Sequence, residues 1–271
     1  MNRRNWMRSI TLGTAGFTAF LTGCGSAQQQ SPQGAQNQGG QEQGAQEQGG
    51  RGQSGRGQGG PGGPGGPGGP GGGQRPRREI VKHPNEHFYK DGKFDAESAK
   101  AAYEELFRFH RYSLADVVLN SDDFWMLEFG QDDFSNVGMA GIFFVNDKEH
   151  GYFGHEIYLL PGQMIAEHFH VAAEDLPAKH EAWQVRHGQV WTVAQGGDKS
   201  ALPFVLPASQ DKDFTTCFDA KELKVGDMDF LRKLEEPHFM MAGPEGAIVT
   251  EYASYHSGDG LRFSNPTVKL S

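Results

Sequence analysis

GHEIYLLPGQMIAEHFHVAAEDLPAKHEAWQVRHGQVWTVAQGG, residues 154–197, decides how this chain folds. Its two arms, GHEIYLLPG (154–162) and EAWQVRHGQVWTVAQGG (181–197), are aromatic, β-branched and bounded by glycine, which is the composition of strands. Between them His168 and His170 stand two residues apart, so on a strand both imidazoles project from one face. After VAAEDLPA, expected as a connecting loop, Lys179, Glu181, Trp183 and Val185 share a face, with His180 and Gln184 on the other. Two paired strands aiming these faces inward would gather His168, His170 and Glu181, and a later histidine, His238, completes the set. Three imidazoles and a carboxylate suit a divalent first-row metal and leave coordination positions open.

Working outward, FWMLEFG (124–130), GMAGIFFVN (138–146) and GAIVTEYASY (246–255) are further short strands. One helix precedes them: Asp95 can cap it, Glu97 favours the positive end of its dipole, and Ala99, Ala102, Tyr103, Leu106 and Phe107 mark one face. Many short strands without alternating helices predict an all-β sandwich or barrel with a short helical extension at its N-terminal side.

Near the end, MAGPEGA (241–247) looks like a hairpin turn closed around Gly243, Pro244, Glu245 and Gly246. If Ala242 faces Ala247, antiparallel pairing puts His238 opposite Glu251, beside the metal, where a general base belongs. A register slip of one residue would turn one of that pair away.

The first 78 residues have too few apolar side chains for a core. Residues 1–23 are expected to be an export signal. Arg3, Arg4 and Arg8 form its positive end, and a short, weakly apolar middle follows. Leu21, Thr22, Gly23 and Cys24 resemble a bacterial lipobox, which implies cleavage before Cys24, lipidation of that cysteine and anchoring on the extracytoplasmic side of a membrane. Arg3 and Arg4 followed by Asn5 and Trp6 also resemble a twin-arginine export motif. Residues 24–78, rich in Gln, Gly and Pro, read as a disordered tether, leaving 79–271 as the folded domain. Residues 1–78 hold eight Arg and two Glu, net +6, so the overall charge of −9 leaves −15 on 79–271. That balance argues against a nucleic-acid partner and is indifferent to a small neutral ligand. With Cys24 lipidated, Cys217 is the one remaining thiol, and no intrachain disulfide is expected.

The spacing from Gly162 through His168, His170 and Glu181 to Gly188 is similar to the first cupin motif, with a lengthened gap before the glutamate. More specifically, HEIYLLPGQMIAEHFH, AKHEAWQVRHG and PHFMMAGPEGAIVTEYAS resemble the cupin-type D-lyxose isomerase family of sugar ketol-isomerases, over roughly residues 120–268. The resemblance implies a single-domain cupin β-barrel, jelly-roll-like and commonly dimeric. It implies that His168, His170, Glu181 and His238 hold manganese or a similar divalent ion such as zinc, iron or cobalt. It also implies that Lys179 and Glu251 take part in catalysis on a sugar. The chain departs from the family pattern at Ala166, where proline is common, and at Ala182, where threonine is common. A metal-dependent cupin dioxygenase or lyase would use the same ligands, and a tethered carbohydrate-binding cupin would dispense with Lys179 and Glu251. His83, His87, His110, His150, His180 and His256 read as surface or satisfied core residues. His155 and His187 lie near the site in sequence but hold no motif position, and Trp183, Trp191 and Phe169 read as packing residues.

Overall fold

The computed structural model describes residues 79–114, 116–173 and 175–270. The expected signal, Cys24 and the tether lie outside the described residues. A small hairpin, β1 (Tyr89–Lys90) and β2 (Lys93–Phe94), leads into α1 (Ala96–His110). A four-residue turn of helix, α2 (Asp116–Leu119), then gives way to strands: β3 (Phe124–Leu127), β4 (Met139–Asp147), β5 (Tyr152–Leu159), β6 (His168–His170), β7 (Glu181–Gly197), β8 (Cys217–Lys224), β9 (Met228–Phe230), β10 (His238–Ser254) and β11 (Leu261–Phe263). The fold is all-β, as the pattern of short strands predicts, and of the cupin type that the family resemblance implies.

Its frame is two 17-residue strands, β7 and β10, antiparallel to each other along nearly their whole length and both bent in the middle. The bend divides one hydrogen-bonded network into two facing layers. Residues 181–188 of β7 and 247–254 of β10 belong to a layer with β3, β4, β5 and β9. Residues 189–197 and 238–242 belong to the other, with β6, β8 and β11. Inward side chains of both layers form the larger core, around Ile157, Leu159, Val185, Val193, Phe239 and Val249.

The predicted hairpin at 241–247 is not formed, because the chain does not reverse there. Ala242 pairs with Val190 and Ala247 with Gly188, so both sides of the Gly-Pro-Glu-Gly segment lie against the same strand. The segment is a bulge that bends β10 and carries it from one layer to the other. Glycine and proline signalled a departure from regular strand, and the sequence does not distinguish a bend from a reversal. Two glycines are required at the bend. Gly188 has φ +74°, and a Cβ on it would lie 2.0 Å from the Gly246 carbonyl oxygen; Gly246 has φ +68° and packs under Leu106 of α1.

Helix α1 covers the outer face of the first layer with the five residues its periodicity marks, Ala99, Ala102, Tyr103, Leu106 and Phe107, all buried. The Phe107 ring meets that of Tyr158 edge-on at 4.8 Å, and the Tyr103 hydroxyl donates to Gln163 Oε1 at 2.9 Å. Gln163, wholly buried, also accepts from Leu160 N and donates to the Phe134 carbonyl, so the helix fixes the turn before β6. Asp95 stands at the N-cap, but its carboxylate accepts from the Ser98 hydroxyl and pairs with Lys90 and makes no capping bond to backbone. Among the described residues no helix is long and apolar enough to cross a membrane.

Gly188→Ala places a Cβ against the Gly246 carbonyl and forces alanine into a left-handed conformation. We expect it to lower folding stability by at least about 2 kcal/mol, seen as a fall in the denaturation midpoint. An unchanged midpoint would show that the bend tolerates a side chain.

Candidate metal centre

The interior between the layers is a cavity of about 490 Å³. Three strands deliver its polar floor. β6 contributes His168 and His170, the start of β7 contributes Glu181, and β10 contributes His238 from its first position. The strand parity read from the sequence holds, since Lys179, Glu181, Trp183 and Val185 are buried while His180 is exposed. His238 pairs directly with His168, which brings the distant histidine to the motif.

One donor atom from each of His168, His170, Glu181 and His238 lies within 4.8 Å of all the others. The His168 Nδ1–H donates to the Ala166 carbonyl at 2.9 Å and the His238 Nδ1–H to the Glu236 carbonyl at 2.8 Å. Each contact assigns the proton to Nδ1 and leaves the Nε2 lone pair for a ligand. His170 Nε2 is 3.2 Å from Glu181 Oε1 and His238 Nε2 is 3.0 Å from Glu181 Oε2. These contacts lack hydrogen-bond geometry, so His170 Nε2, His238 Nε2 and Glu181 Oε2 are buried polar atoms that face one another without a hydrogen-bond partner. Buried polar atoms without a partner are costly. A cation bound among them would meet all of them at once, so the four residues fit a divalent ion held by three nitrogens and a carboxylate.

The position of β6 is set by a residue the sequence did not single out. Glu167, buried between the layers, accepts hydrogen bonds from Thr216 N, Cys217 N and the Ser264 hydroxyl at 3.0, 3.1 and 2.6 Å. It ties the strand bearing His168 to β8 and to the chain after β11.

Beside the four candidate ligands lies a charged chain. The Lys179 ammonium donates to Glu181 Oε1 at 2.7 Å and to Glu251 Oε1 at 2.5 Å, and all three side chains are buried. Glu251 Oε2 faces His155 Nε2 at 3.0 Å and accepts from the Trp183 Nε1–H at 3.3 Å. Burial pushes the Glu251 carboxyl up, but the Lys179 ammonium, helped by His155, outweighs it and holds the group below its ordinary value. Burial likewise pulls Lys179 down, and Glu181 and Glu251 together leave it raised. The ammonium and the carboxylate are therefore both ionised at neutral pH.

Glu251 thus reaches the site by a route other than the predicted hairpin. It pairs with Trp183 of β7 and with His155 of β5, while His238 pairs with His168 and Ala194, and the bend folds both ends of β10 over one cavity. Trp183, read as packing, donates to the Glu251 carboxylate, and its ring lies 5.2 Å from that of His238. His155 and His256 line the cavity as well. The signal for His155 was strand parity in GHEIYLLPG, where it shares a face with Ile157. His83, His110, His150 and His180 lie elsewhere, with partners on Glu105, the Glu245 carbonyl, Asp147 and the Leu231 carbonyl.

No protein-family profile matches the chain. Among curated proteins it is 28% identical over 173 residues to the D-lyxose/D-mannose isomerase of Thermosediminibacter oceani, covering 64% of this chain and 92% of that one. It is 25% identical over 171 residues to the D-lyxose ketol-isomerase of Cohnella laeviribosi, covering 63% and 91%. A solved structure of Cellulomonas parahominis L-ribose isomerase aligns with TM-score 0.49 and 15% identity over 65% of this chain and 94% of that one. The chain is similar to D-lyxose isomerases, as its motifs indicated.

Metal binding should release protons. Burial pulls the His238 imidazole down, but its contacts with Glu181 outweigh that and raise it above its ordinary value, so an ion must displace a proton. Calorimetry in buffers of different protonation enthalpy should show release of up to about one proton near pH 7 and affinity falling as pH drops from about 8 to 5.5. Affinity independent of pH over that range would remove His238 from the ligand set. Glu181→Gln should weaken binding by at least about 100-fold.

Proposed function

We propose that this protein is a metal-dependent aldose–ketose isomerase acting on a pentose or hexose such as D-lyxose or D-mannose. The observation that carries this reading is the buried Lys179–Glu251 ion pair set against the cluster of His168, His170, Glu181 and His238. The names of the relatives support the reaction and the sugar.

Interconversion moves a proton between adjacent carbons. Glu251, ionised and buried, takes the proton from C2 of the aldose, and the C–H electron pair becomes the C1–C2 double bond of an enediol. A second proton passes from the C2 hydroxyl to the former carbonyl oxygen. The protonated Glu251 then returns its proton to C1, and C2 becomes the ketone. Lys179 donates to a substrate oxygen as negative charge develops there, and its bond to Glu181 keeps the ammonium in place. His155 and Trp183 hold the Glu251 carboxylate in orientation. Held by His168, His170, Glu181 and His238, a divalent ion, for which we favour manganese, supplies Lewis-acid stabilisation of the developing oxyanion. Phe153 and Ile157 give the cavity apolar walls near Glu251.

The test is to incubate the chelated and the manganese-reloaded protein with pentoses and hexoses and to follow ketose formation and oxygen uptake. Ketose formation restored by metal without oxygen uptake is the expected result. Oxygen consumption would select a dioxygenase, and the absence of any product would leave a binding protein. Glu251→Gln should lower turnover by at least about 100-fold while the metal still binds; retained activity would remove the base assignment.

We also propose that the chain is an exported lipoprotein, anchored through Cys24 and the Gln/Gly/Pro-rich segment after it on the extracytoplasmic side of a membrane. The lipobox-like run and the arginine-rich start support this. Cys24→Ser should move the protein from the membrane to the soluble fraction; partition unchanged by the substitution would contradict the anchor.

A further inference from the structure

The proposed chemistry leaves the part of the cavity wall formed by β3 without a role. On that wall Trp125 of β3 is only 9% exposed, and its Nε1–H has no hydrogen-bond partner among the described residues. Next to it stands His155 of β5. Its Nε2 faces the Glu251 carboxylate, while its Nδ1, also buried, has no partner. The two rings are nearly parallel, with centroids 6.0 Å apart and planes at 19°. Both residues line the cavity, and a buried donor and a buried acceptor without partners on neighbouring rings there point to a ligand site.

The wall is built for this arrangement. Trp125 pairs with Gly141 on β4, the strand between β3 and β5. A Cβ on Gly141 would lie 2.5 Å from Cζ2 of the Trp125 indole and 2.7 Å from the Glu156 carbonyl oxygen. Only glycine lets the indole lie across β4 toward His155. The Glu251 carboxylate accepts from His155 Nε2, which puts the proton on that nitrogen and leaves Nδ1 as an acceptor. Trp125 offers a donor and His155 an acceptor, and a hydroxyl group complements both.

We propose that Trp125 and His155 form a subsite for a hydroxyl of the sugar remote from the reacting carbons, which makes Trp125 a specificity-determining residue. This rests on the isomerase reading above and extends it: the substrate is a polyhydroxy chain that continues past the enediol carbons and is selected by a hydroxyl there.

The experiment compares the metal-loaded full-length protein with its Trp125→Phe variant, using D-lyxose and its analogues deoxygenated at C3, C4 or C5 in turn. KM and kcat are measured, together with calorimetric affinity. Trp125→Phe should raise KM and weaken affinity for D-lyxose about tenfold, with kcat changed little. For one of the deoxy sugars wild type and variant should bind alike. If Trp125→Phe does not fold, as judged by circular dichroism, Trp125→Leu gives the same comparison. An equal loss on every sugar, or no loss, overturns the subsite while leaving the isomerase reading intact. Wild-type protein that neither binds nor converts any of these sugars overturns both.

Discussion

The Lys179 ammonium, shared between Glu181 and Glu251, is the interaction on which the rest of the site depends. Three charges out of water cost several kcal/mol each before they meet. One cation between two carboxylates leaves a net negative charge in the interior. A divalent ion among His168, His170, Glu181 and His238 would answer it and supply partners for donor atoms that otherwise have none. The same electrostatics prepare Glu251. It stays ionised despite burial, so it can accept a proton inside the cavity.

That arrangement requires side chains from distant parts of the chain to meet at one depth in the cavity. The bent pair β7 and β10 makes this possible, because each strand crosses from one layer to the other. His238 and Glu251, on one strand but in different layers, both point inward, and Glu181 begins the strand that pairs with each layer of β10. Gly188 and Gly246, touching at the bend, are as necessary to the site as the ligands, although neither touches it.

Much of this was legible in the sequence where a local rule decides it. Alternation placed Lys179 and Glu181 on the inner face, the 3.6-residue period marked the buried side of α1, and the two-residue spacing of His168 and His170 set both toward the cavity. What failed depends on pairing between strands far apart in sequence. The segment 241–247 bends where a reversal was expected, because turn residues mark a break and leave its direction to the partner strands. Glu251 was found at the site although the pairing used to put it there is absent, since its neighbours are His155 and Trp183. His155, Trp125 and Glu167 were missed because their roles come from cross-strand neighbours and no motif spacing announces them.

The central claim, that Glu251 moves a proton between adjacent sugar carbons beside a bound divalent ion, is tested most directly by isotope exchange. The manganese-loaded protein is equilibrated with D-lyxose in deuterium oxide, quenched with chelator, and the sugars are analysed by mass spectrometry. The account predicts deuterium on carbon at C1 of the ketose and C2 of the aldose, dependent on the metal. Sugars recovered without carbon-bound deuterium and without ketose would contradict it.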